Sequence, residues 1–141
     1  MITPDVAVRT AVYGLLSAAG IAAYDSEAPV EAVPPYILLV GQTNTDFTTK
    51  SGYGFFHDIT LSAVNVAPSA SGREVPETLL NQALTALTTQ QPGQPVKIDL
   101  SPDFRCWMVR AGQTKDVTFT GATESVYQKI VTLTLSIDYT P

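Results

Sequence analysis

Hydrophobic positions along this chain alternate between a helical period and a period of two. From Pro4 to Ala19, the apolar residues Val8, Val12, Leu15, Leu16 and Ala19 recur at helical spacing, which predicts a helix with one buried stripe. Thr3 is placed to cap it, Pro4 suits a first helical position, Asp5 faces the positive end of the dipole, and Gly20 is a natural terminator. Gly14 inside it costs up to about 1 kcal/mol relative to alanine, so packing must hold the helix. Ile21 to Asp25 reads as a short strand and Ser26 to Val33 as an acidic connector. Val33-Pro34-Pro35-Tyr36-Ile37-Leu38-Leu39-Val40-Gly41 follows; its prolines block a helix, and its unbroken apolar run predicts a strand buried on both faces.

Gln42 to Gly54 is rich in Asn, Asp, Ser and Gly with Phe47 and Tyr53 embedded, which predicts a long hairpin loop or a pair of protruding strand ends. Phe55 to Val66 alternates cleanly. Phe55, His57, Ile59, Leu61 and Ala63 form a core face; Phe56, Asp58, Thr60, Ser62 and Val64 form a mostly polar one, as in an antiparallel sheet covered on one side. Ala67 to Gly72 reads as a turn, and a second helix to about Leu87 buries Leu80, Ala83, Leu84 and Leu87. Ser71 and Glu74 have capping-box spacing there, with Pro76 at the first or second helical position. Thr88 to Pro95 is a connector, Val96 to Leu100 a short strand, and Phe104 to Arg110 another strand leading to a turn near Gly112. Val117 to Phe119 is a further extended piece and Gly121 to Ser125 a turn. Val126 to Tyr139 alternates throughout and would span more than about 40 Å, longer than most strands. The order predicts an α+β fold over residues 1–141 as a single domain: one antiparallel β-sheet with two helices packed on one face.

Composition adds a surface to this scaffold. Hydrophobic residues make up 45% and charged residues only 15% of 141, a charge fraction well below the roughly 25% of ordinary soluble domains. A charge-poor exterior fits either a subunit covered by neighbours or a Thr-rich β protein. The net charge of −5, with eight Lys and Arg dispersed singly, lacks the cationic cluster that grips phosphates, so direct DNA binding is not expected. No stretch reaches the ~20 apolar residues of a membrane span, and no cationic leader with a cleavage site is visible, so neither export by that route nor a membrane is expected.

Candidate chemistry is sparse. His57 and Asp58 point to opposite faces of a strand and form no dyad; without a Gly-x-Ser-x-Gly elbow, His57 reads as a histidine at the margin of the core face. Cys106 shares the face of Phe104 and Met108 and reads as a buried, inert thiol. Dispersed carboxylates and a single histidine give no metal set, and no glycine-rich phosphate loop is present, so no metal or cofactor is expected and no enzyme activity. Trp107 with Arg105 and Arg110 is a candidate stacking surface, against which the overall charge argues.

The order of elements resembles the tail-completion or tail-terminator proteins of long-tailed bacteriophages and related tail-like particles. The resemblance rests on the N-terminal helix and on Pro34-Pro35-Tyr36-Ile37 opening a strand that ends at Gly41. It continues through a long loop, His57-Asp58-Ile59-Thr60-Leu61 on a strand, the helix around Leu79 to Leu87, and Tyr127-Gln128-Lys129-Ile130-Val131-Thr132-Leu133 in the last strand. It covers roughly residues 5 to 139. The chain departs from the family at Val64-Asn65, where a tryptophan or other bulky residue is usual, and Phe104 to Phe119 carries no matching motif. The resemblance implies a structural virion protein at the head-proximal end of the tail, assembled in the host cytoplasm. It would form a homo-oligomeric ring of six copies that caps the tail tube protein and meets the head-completion protein, with DNA passing through the lumen without specific binding. Phe47, Lys50 and Tyr53 in the first long loop, and Lys115 and Asp116 in the later turn, are then the candidate interface residues; an ordinary solvated loop is the alternative for each. Three other readings stay open: a tail-tube protein, a head-closure protein, and a small-ligand domain or hydrolase using His57.

Overall fold

The computed structural model describes residues 3–47, 49, 52–68, 74–88 and 94–140. The elements run α1 (Asp5–Ala18), β1 (Ala23–Asp25), β2 (Tyr36–Asp46), β3 (Gly54–Pro68), α2 (Glu74–Leu87), β4 (Phe104–Thr120) and β5 (Glu124–Tyr139). The five strands form one sheet in the order β1-β2-β3-β5-β4. All pairings are antiparallel except that of β1 with β2.

Both helices cover the same face. Val8, Val12 and Leu16 of α1 and Leu80, Ala83 and Leu87 of α2 join Ile37, Leu39, Ile59, Leu61, Val131, Leu133, Leu135 and Ile137 of the sheet in one core. This is the expected α+β architecture, and β3 and β5 follow the alternation read from the sequence. Burying a side chain such as Leu133 or Ile137 contributes roughly 1.5–3 kcal/mol, which offsets the glycine inside α1.

Several local expectations are corrected. Thr3 does not cap α1: its hydroxyl bonds the Asp5 carboxylate at 2.7 Å, and Pro4 holds the N-cap position without a side-chain bond. Gly20 does end α1, at φ 77°, a conformation that side chains resist. β2 is buried on one face only, with Ile37 and Leu39 inside while Val40, at a bulge, is 50% exposed. The strand also continues to Asp46, paired with Phe55, so the first part of the stretch Gln42 to Gly54, expected as a loop or as protruding strand ends, is paired strand level with its neighbours. Pro76 is the third residue of α2, and its proposed cap at Ser71 lies outside the described residues. Val96 to Leu100 forms no strand, yet Ile98 and Leu100 are buried in the core.

The largest correction concerns β4. The chain does not turn at Gly112; it runs on as one 17-residue strand, and the irregularity is absorbed by register shifts between Cys106 and Met108 and between Ala111 and Thr114. The face of the sheet away from the helices is also less open than its polarity suggests. Ser62 and Val64 are buried there because longer neighbours flank them in register: Leu38 and Ile130 beside Ser62, Tyr36 and Gln128 beside Val64.

Candidate assembly surface

His57 is fully buried, not marginal, and it sits in a polar cluster that joins α1 to the sheet. Its Nδ1 bonds the Asn44 side-chain oxygen, and its Nε2 lies 2.9 Å from the Gln42 amide nitrogen. Both amides are fixed by Asp5: Asn44 donates to its carboxylate at 2.8 Å, and Gln42 donates to its backbone carbonyl at 2.9 Å. With the amide nitrogens so committed, Asn44 offers His57 an acceptor and Gln42 offers a donor. Only the neutral Nδ1–H tautomer satisfies both. Burial lowers the His57 pKa from its ordinary value, opposed by the charges of Asp5 and Asp58. Arg9 extends the cluster, reaching the Gln42 oxygen at 3.4 Å and the Asp25 carboxylate at 3.6 Å. With both ring nitrogens occupied and no exposure, His57 presents no free base at the surface. The cluster is a clamp.

At the opposite edge of the sheet the situation reverses. β4 pairs with β5 on one side, and among the described residues its other edge carries no partner strand. From Arg110 to Thr120 every residue of β4 is exposed except the half-buried Val117. An unpaired edge of this length presents a row of backbone donors and acceptors, a template for another strand.

The five residues singled out from the sequence fall into two separate groups. Phe47 follows β2 and is half-buried, its ring 4.4 Å from that of Phe56 and lying over Gly54. Tyr53 is 49% exposed, packs edge-on to Tyr139 at 6.4 Å, and accepts the Tyr139 backbone N–H at 2.9 Å. Together with Asp138 and Thr140, the Phe47 and Tyr53 side chains line a cleft of about 320 Å³ at this end of the sheet. Lys50 lies outside the described residues. Lys115 and Asp116 occupy no turn; they lie within β4, opposite Ile130 and Lys129. Asp116 is held by Lys129 at 3.2 Å, and Lys129, which also reaches Glu77 at 3.5 Å, has its pKa raised chiefly by the Asp116 bond.

Two features escaped the sequence reading. Met108 does not share the buried face of Phe104 and Cys106: the adjacent register shift pairs it with Ser136 and turns it outward, leaving it 38% exposed beside Trp107 at 44%. Three apolar residues in succession, Cys106-Trp107-Met108, were the available signal for a break in the alternation. Cys106 is buried as expected, with its thiol pKa pushed up to about 11. In the connector after β1, Val30 and Val33 are the two most exposed large apolar residues described, a point that composition alone does not reveal.

Together these elements define an α+β chain with one helix-covered sheet, an internally clamped corner and a long free edge. A solved chain from the virion of a native gene transfer agent particle is similar to it, with a TM-score of 0.68 over 96% of this chain and 99% of that one, at 20% identity. At that identity the likeness is one of fold. No family model matches the chain, and no curated protein does.

Proposed function

We propose that this protein is a structural component of a phage-like virion, a tail terminator that forms a ring on the head-proximal end of the tail tube and joins it to the head-completion protein. The observation that carries this reading is the end-to-end correspondence of fold with a virion chain, 96% of one against 99% of the other. The order of elements that resembles the terminator family supports the finer role, and so does the unpaired edge of β4. A tube grows by head-to-tail contacts that leave an open end; a terminator matches that end without repeating it. Phe47, Lys50, Tyr53, Lys115 and Asp116 are the proposed interface residues. Six copies, each at −5, give a ring of about −30 by multiplication, a charge that keeps the DNA backbone from adhering in transit.

The test is negative-stain imaging of purified protein, alone and with tail tubes polymerised in vitro. Closed rings that halt tube extension are expected. Long filaments of this protein would instead identify a tube protein, and a chain that neither forms rings nor binds tube ends would overturn the terminator role.

A further inference from the structure

Two exposed surfaces at opposite corners of the sheet complement each other. The first is the connector between β1 and β2, where Val30, between Glu27 and Glu31, and Val33, two residues beyond Glu31, stand in solvent. Neither glutamate makes an ion pair among the described residues. The segment is pre-shaped. Ser26 N–H bonds the Leu39 carbonyl at 2.9 Å, Glu27 N–H the Asp25 carbonyl at 2.7 Å, and Ala32 N–H the Pro29 carbonyl at 2.9 Å. It therefore loses little conformational freedom on binding.

The second surface lies on the helix-free face at the other corner. Register places Phe56, Ser136 and Met108 side by side there, with Trp107 exposed at the adjacent bulge. Arg105 and Arg110 flank them on β4, both exposed and without an ion pair among the described residues. The nearby carboxylates are Asp138, opposite Arg105 in register, and Asp58, which keeps its charge while accepting from the Thr134 hydroxyl at 2.6 Å; among the described residues neither forms an ion pair with either arginine. This surface is apolar at its centre with two guanidinium groups at its margin, matching two valines with two carboxylates.

The surfaces cannot meet within one molecule. They are separated laterally by one strand spacing at Phe56 and up to four at Met108, roughly 5–19 Å, and by roughly 20 Å along the strands. We propose that the Ser26–Val33 connector of one copy docks on the Trp107–Met108–Phe56 surface of a second copy, with Glu27 and Glu31 facing Arg105 and Arg110. Because the two patches differ, the contact is head-to-tail and propagates around a ring instead of closing a pair. This deepens the assembly reading above and rests on it.

Charge exchange in the full chain tests the contact, with mass in solution read by light scattering. Glu27→Lys with Glu31→Lys, and separately Arg105→Glu with Arg110→Glu, should each weaken self-association at least tenfold. The quadruple variant should recover it, as should a mixture of the two double variants, in which each intact surface finds its mate. Val30→Ser, which leaves the charges alone, should weaken association as well, and circular dichroism confirms that each variant folds. Wild-type rings that persist unchanged in both double variants would overturn this contact while leaving the assembly reading intact. A failure of the quadruple variant to recover would also overturn the contact. A wild-type chain that stays monomeric at high concentration and on tube ends would overturn both.

Discussion

The corner where α1 meets β2 and β3 and the long edge formed by β4 are built on opposite terms. At the first, a buried histidine and half-buried polar side chains are each matched: His57 by Asn44 and Gln42, and those amides by Asp5. At the second, a 17-residue strand leaves one row of backbone groups and most of its side chains to solvent. The clamp fixes where α1 sits and so closes the core. The edge adds little to the stability of the isolated chain beyond its pairing with β5. Substitutions at the clamp should therefore act on stability and substitutions along the edge on assembly, and each of the following measurements tests that division.

The largest effect is expected at His57. His57→Ala removes a fully buried ring and leaves Asn44 and Gln42 facing a cavity, with an expected loss of about 3 kcal/mol in urea unfolding and a fall in Tm of roughly 10 °C. A loss below 1 kcal/mol would mean that the cluster is incidental to the fold.

Acid should act on the same group. In the folded chain burial holds the His57 pKa below its ordinary value of 6.5, so the unfolded chain binds the proton first. The contribution of His57 to stability is therefore complete above about pH 6.5 and is lost as pH falls below that value towards the folded pKa, at no more than about 1.4 kcal/mol per pH unit. Physically, a proton on Nε2 would confront the Gln42 amide with a second donor. Asp99, whose pKa is lowered from 3.8 by its Ser101 bonds, acts only at lower pH, so unfolding between pH 7 and 5 isolates the histidine. In that window His57→Ala should flatten the profile, and an unchanged slope would assign the acid sensitivity elsewhere.

This clamp shows where sequence reading stops. The alternation of β3 and β5 and the stripes of α1 and α2 are short-range patterns, visible because each element announces its own buried face. The cluster depends on Asp5, Gln42, Asn44 and His57 meeting from three elements. Gln42 and Asn44 lie in a stretch whose Asn, Asp and Gly content reads as loop, yet the stretch pairs with β3 from Gly41 to Asp46. The same stretch then carries Phe47 and Tyr53, just beyond the ends of β2 and β3. β4 was legible only in pieces, since a bulge across Gly112 breaks the period of two without ending the strand. The division between Phe47 with Tyr53 at one end and Lys115 with Asp116 at the other follows from that continuity, which no local signal records.

A smaller effect tests the middle of the sheet, where neither description applies. Ser62 is buried on the helix-free face with its hydroxyl unpartnered among the described residues. Ser62→Ala removes that unmet polar group and should raise stability by up to about 1 kcal/mol. A comparable loss would show that the hydroxyl has a partner, such as an ordered water between the strands.

The smallest effect on stability is expected on the edge itself. Asp116 pairs with Lys129 across β4 and β5, but its side chain is 45% exposed, and Lys129 keeps Glu77 as a second carboxylate partner. Surface pairs of this kind contribute about 0–1 kcal/mol, so Asp116→Ala should shift the unfolding free energy by less than about 0.5 kcal/mol, and Lys115→Ala by no more. The same two variants should reduce the fraction of chain found in rings or bound to tube ends, because both residues stand on the strand that offers its free edge to a neighbour. Stability lost without any change in assembly would place the Arg110 to Thr120 part of β4 with the clamp, as part of the scaffold, and move the contact surface to the corners at Val30 and Trp107.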